Sequence, residues 1–114
     1  MSYAGIVGGI LRRYGQTVTF AAAGVRPQAG RALLRPLLDE GPQFTPTRLG
    51  ERRRERFLCL AEAGLALTPQ TGLLLTDGEG TVYDVVSLRP VTVGSERAYW
   101  RAVLERREEE EAHD

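Results

Sequence analysis

The sequence predicts a mainly β protein: a small β-barrel of about six strands carrying a short N-terminal α-helix. Three observations predict it. Apolar residues recur every three or four positions only before Gly15, and beyond it the period falls to two. The period-two runs are short, closely spaced and separated by glycine and proline. A chain of 114 residues has room for one modest core and not for two.

The helix comes first. Tyr3, Ile6, Val7, Ile10, Leu11 and Tyr14 share one face at spacings of three and four. Ser2 is the expected N-cap. Arg12 and Arg13 suit the negative end of the helix dipole, and Gly15 is the expected stop. Gly5, Gly8 and Gly9 each cost roughly 1 kcal/mol relative to alanine, so the helix needs a surface to dock on.

"QTVTFAA", residues 16–22, reads as a strand with Val18 and Phe20 on one face. "GVRPQAG", residues 24–30, reads as a turn. "RALLRPLL" alternates again, with Ala32 and Leu34 facing opposite to Arg31, Leu33, Arg35 and Leu37. Pro36 puts that strand at an edge, a bend or a bulge. Residues 39–54 hold Gly41, Pro42, Pro46 and Gly50 and form the longest stretch without a pattern, a loop of a length usually functional or disordered. "ERFLCLAEA" is the next strand, with Phe57 and Cys59 facing the core. Thr68 and Pro69 mark a turn or a strand entry. "GLLLT", "DGEG" and "TVYDVVSLRPVTV" form a hairpin over residues 72–93, with a bend or break expected at Pro90. "RAYWRAVLE" closes the fold, with Ala98, Trp100, Ala102 and Leu104 inward and Arg97, Tyr99, Arg101 and Val103 outward. The domain spans 1–106, and residues 107–114 form an acidic, flexible tail.

Composition narrows the function classes. Net charge is zero, so nothing global draws the chain to nucleic acid or anionic membrane. All 15 basic residues are arginine, a bias that lowers the weight of any single arginine as a contact. Cys59 is the one cysteine, so no internal disulfide forms, and its apolar run reads as core. The N-terminus has the pattern of neither a signal peptide nor a membrane span. His113, the one histidine, sits in the tail, where no scaffold can position it for a triad or a metal centre. Ser2, Ser87 and Ser95 lie in no nucleophile elbow. "GIVGG" lacks the strand and lysine of a phosphate loop. The expectation is a protein with no catalytic residues, no metal and no cofactor.

Surfaces remain. Five arginines fall between Arg48 and Arg56, which less Glu51 and Glu55 nets plus three. Single-strand binding would want aromatics among them, and only Phe44 and Phe57 are near. A long arginine-bearing loop on a small barrel also suits contacts between subunits, with the acidic tail as complement. The first candidate interface or channel loop is therefore Phe44, Thr45, Arg48, Arg52, Arg53 and Arg54. A second candidate contact surface is Arg97, Tyr99 and Arg101. The plain alternative for Tyr99 is an edge tyrosine that covers a barrel end.

The helix running into "LRRYGQTVTF", then "GRALLRPLL", "TRLGERRRERFLCL" and "TVYDVVSLRPVTVGSERAYWRAVLE", resembles the small head–tail joining (head closure, stopper or neck) proteins of tailed bacteriophages and prophages. The resemblance spans Tyr3 to about Glu105 and rests on patterns rather than an invariant motif. It implies a barrel with a flanking helix that assembles with itself into a ring in the virion neck. The ring would lie between a portal or adaptor protein and a tail terminator or tail-tube protein, after synthesis in the host bacterial cytoplasm. It further implies no catalysis, no cofactor and no membrane, and a channel loop, here 39–54, near packaged DNA through non-specific phosphate attraction. The arginine density of that loop favours subunit contacts over DNA contacts. The alternative functions are a tail-completion or tail-terminator subunit, and a small barrel that binds nucleic acid.

Overall fold

A computed structural model describes residues 2–37 and 55–107. They form one helix, α1 (Tyr3–Tyr14), and six strands: β1 (Gln16–Ala22), β2 (Val25–Pro36), β3 (Arg56–Glu62), β4 (Leu74–Thr76), β5 (Val82–Val93) and β6 (Glu96–Arg106). Strand neighbours follow the order β1-β2-β3-β6-β5-β4, all antiparallel, and β4 pairs back with β1 to close a barrel. The protein is thus mainly β, a closed six-stranded antiparallel barrel with one short N-terminal helix. The expected loop 39–54 and all of the acidic tail after Arg107 lie outside the described residues.

Alternation along the strands fills the interior. Val18 and Phe20 of β1, Ala32 of β2, Cys59 and Ala61 of β3, and Trp100, Ala102 and Leu104 of β6 are all buried in one cluster. Across the β3–β6 register the small Ala61 lies opposite the large Trp100, and the small pair Cys59 and Ala102 lies next to it. That complementarity lets side chains fill a small barrel without voids. Phe57 meets Tyr83 edge to face, with ring centroids 5.2 Å apart.

The segment after β3 packs into the same cluster through Leu65, Leu67 and Leu73. It is held by side chains that imitate a strand. Gln28 accepts from the Ala66 N–H at 2.9 Å and donates to the Ala66 carbonyl. Glu62 accepts the Arg31 N–H at 2.7 Å just past the last β2–β3 pair. The indole of Trp100 donates to the Leu65 carbonyl at 3.0 Å.

The helix has the expected limits. Ser2 Oγ accepts from the Gly5 N–H at 2.9 Å. Gly15 ends the helix for a different reason than the left-handed cap that sequence patterns favour. Its backbone is extended, and a Cβ there would lie 2.5 Å from the Ala32 carbonyl oxygen and 2.6 Å from that of Leu11. The barrel then grips both helix ends. The Glu96 carboxylate accepts from the N–H groups of Tyr3 and Ala4 at 3.3 and 3.2 Å. The Arg31 guanidinium donates to the carbonyls of Arg12 and Gly15 at 3.1 and 2.8 Å. A negative group at the N-terminus and a positive one at the C-terminus both oppose the helix dipole.

Three expectations change. Residues 24–30 are not a turn: the chain reverses at Ala23 and Gly24, where Gly24 takes φ +77°, and β2 begins at Val25. Pro27 is accommodated where the β1–β2 register slips between Phe20 and Ala22. β5 does not break at Pro90. Beyond Asp84 it has β6 as its one strand neighbour, so the open side accommodates a missing N–H. Its irregularities fall between Val85 and Ser87 and between Val91 and Thr92 instead. Finally, the apolar face of α1 is not buried as a whole. Leu11 is sealed against the outside of the barrel, whereas Tyr3, Ile6, Ile10 and Tyr14 remain 46–68% exposed.

Candidate functional site

Among the described residues, Cys59, Tyr83 and Asp77 have structural occupations. Cys59 is buried and desolvation pushes its thiol up to about 12, so it is not a thiolate nucleophile at neutral pH. Burial, then the hydrogen bond to Asp77, pushes the Tyr83 hydroxyl up to about 12. That bond runs from Tyr83 to Asp77 Oδ2 at 3.1 Å, while Asp77 Oδ1 accepts from the N–H groups of Glu79 and Thr81. Asp77 therefore builds the β4–β5 turn. Among the described residues no group of three or more His, Cys, Asp or Glu converges as a metal site. No helix there is long and apolar enough to cross a membrane. A shallow groove of about 440 Å³ runs between residues 69–73 and 85–88 of β5, and none of its lining side chains titrates.

Two surfaces stand out. The first is the outer stripe of α1. Tyr3, Ile6, Ile10 and Tyr14 follow one another at spacings of three and four and point away from the barrel. Glu96 and Arg31 hold the helix that displays them, and the exposed Val93 lies beside Glu96 at its N-terminal end. A contiguous apolar stripe on a fixed helix is the geometry of a protein-binding surface.

The second is the outer face of β5 and β6. The structure separates the three residues the sequence grouped there. Arg97 lies across from Thr92, and its guanidinium stacks on Trp100 at 4.5 Å from the ring centroid. Tyr99 and Arg101 are half-buried on the face opposite Trp100 and Ala102, the outer wall of β6, where α1 also packs. They lie across from Val91 and Arg89. Arg89 is the residue the sequence reading missed. Its place in a period-two run marked it as outward, but only the β5–β6 register sets it against Arg101. Phe44, Thr45, Arg48, Arg52, Arg53 and Arg54, the first candidate surface, lie outside the described residues.

No protein-family model, no curated protein and no solved structure matches the chain.

Proposed function

We propose that this chain is a structural, non-enzymatic subunit of the neck of a tailed phage or prophage particle. In this reading it acts as a head–tail joining or head-closure component that forms a ring between a portal or adaptor and the tail. The observation that carries it is the α1 stripe: four large apolar side chains displayed on a helix whose ends are gripped by the barrel. Burial of that stripe needs another protein, and in a ring the neighbouring copy supplies it at every position. A closed barrel supports the same reading. It covers most strand edges, leaving the open side of β5 beyond Asp84, and gives a body on which an assembly surface can be displayed. The resemblance of the sequence to neck proteins supplies the setting, including packaged DNA close to the 39–54 loop.

The test is electron microscopy of particles made without this protein. Filled heads that leak DNA and carry no tail are the expected result. Tails of uncontrolled length would move the chain to the tail-terminator role. Intact infectious particles would remove both.

A further inference from the structure

Arg89 of β5 and Arg101 of β6 are direct cross-strand neighbours. Like charges placed directly opposite each other on adjacent strands repel and destabilise a sheet. At the other end of β6 arginines do have partners: Arg56 pairs with Glu105, Arg106 with Glu55 and Arg107 with Asp84, at 2.9 to 3.5 Å. Arg89 and Arg101 have no acidic partner among the described residues. Arg89 is exposed on the open side of β5, and Tyr99 and Val91 continue the same face.

The charge that would relieve this repulsion is written in the chain. The described residues hold eleven arginines against seven carboxylates. The last seven positions hold five acids, Glu108, Glu109, Glu110, Glu111 and Asp114, and no arginine. The tail leaves from the far end of β6. Arg107 extends β6 with its N–H on the Val82 carbonyl, six residues or about 20 Å along the strand from Arg101. To meet the pair in its own copy, the tail would have to double back along β6 almost fully extended: the backbone of the four glutamates spans at most about 14 Å, and only Glu111 and Asp114 at its end come within reach.

We propose that the tail glutamates of one copy pair with the Arg89–Arg101 face of another, as a head-to-tail contact between subunits. This rests on the ring reading and names one of its interfaces. Paired guanidinium forks suit carboxylates, and a heterologous contact of this kind repeats around a ring.

The test uses two full-length variants mixed in solution. One carries R89E and R101E; the other carries arginine at positions 108–111. Sedimentation velocity of the native chain at high concentration should show self-association that weakens about tenfold or more between about 50 and 500 mM salt. Each variant alone should be monomeric. Their equimolar mixture should associate at least about tenfold more tightly than either alone, because each face then meets an oppositely charged tail. R89E alone, a change at an exposed position, should weaken native association in the same direction if the double change perturbs folding. A mixture that behaves as the sum of its parts overturns the proposal, as does a native chain that stays monomeric at low salt. So does recovery in a single chain carrying both reversals without gain on mixing, which would place the contact within one copy. Salt-sensitive binding of a short DNA duplex, lost with R89E and R101E while mixing has no effect, would assign the arginine face to phosphate instead. None of these failures touches the particle phenotype on which the neck reading stands.

Discussion

Cys59 and Tyr83 are sealed inside the barrel as neutral groups, and that ties stability to pH on the alkaline side. Burial raises the Cys59 thiol from 9.0 to about 12. Burial and Asp77 raise the Tyr83 hydroxyl from 10.0 to about 12. In both cases the folded state holds its proton more tightly than the unfolded chain. The stabilisation is complete below the unfolded value and is lost as pH rises through the folded one. Stability to urea should therefore be insensitive to these groups up to about pH 9, then fall. The slope is at most about 1.4 kcal/mol per pH unit for each proton released on unfolding. Cys59→Ala should remove the part of the slope that begins at pH 9, and Tyr83→Phe the part that begins at pH 10. Urea melts of the three proteins between pH 8 and pH 11 check this. Identical slopes would mean that neither group titrates differently on folding.

At the scale of the element, α1 depends on residues far from it in sequence. Three glycines weaken it, and its length of 12 residues is marginal for a helix alone in water. The two N–H groups taken by Glu96 are among the four that any helix leaves unsatisfied at its start. Glu96→Gln keeps an acceptor but removes the charge that opposes the dipole, and should cost about 1 kcal/mol. Amide exchange at Tyr3 and Ala4 should quicken while the strands exchange as before. Unchanged protection at both amides would show that the carboxylate is not what holds that end. The helix limits, the inward faces of β1 and β6 and the barrel class were legible in the sequence, because periodicity and capping are local. The grip of Glu96 and Arg31 was not, since each acts across the fold. Nor was the start of β2: Gly24, Pro27 and Gly30 read as turn chemistry, yet one Gly24 reversal and a slipped register let the strand run through. Pro90 misled for a related reason. Whether a proline breaks a strand depends on whether a neighbour wants its N–H, and neighbours are set by topology. The candidate surfaces divide in the same way. The apolarity of Tyr3, Ile6, Ile10 and Tyr14 was plain, but their exposure is decided by how Gly15 lets the helix meet the barrel. Arg101 was visible as outward, and its partner Arg89 became visible only with the register.

For the molecule as a whole, the barrel has its own complete core, and α1 contributes one fully buried side chain outside it. Leu11 is sealed between helix and barrel wall, whereas Ile6 and Ile10 on the same helix face outward. On the proposed neck reading, stability and assembly should therefore separate on a single element. Leu11→Ala removes a buried side chain and leaves a cavity, and should cost about 2–4 kcal/mol in urea denaturation. The paired change Ile6→Glu and Ile10→Glu places charge where water already reaches, so its effect on stability should stay within about 0.5 kcal/mol per site. Its effect on assembly should be the reverse. A charged stripe cannot be buried against a neighbour without heavy desolvation, so particles made with this variant should resemble those lacking the protein. Leu11→Ala should still support particles at low temperature, where a destabilised fold persists. The two measurements, urea denaturation of the purified chain and rescue of particle formation, read different faces of one helix. Should the Ile6 and Ile10 variant rescue fully, the stripe is a tolerated exposure and the observation carrying the neck reading is lost. Should it fail to fold, the helix packs more deeply than its exposure shows. Folded protein that cannot join a particle is the outcome expected of a subunit whose outer helix belongs to its neighbour.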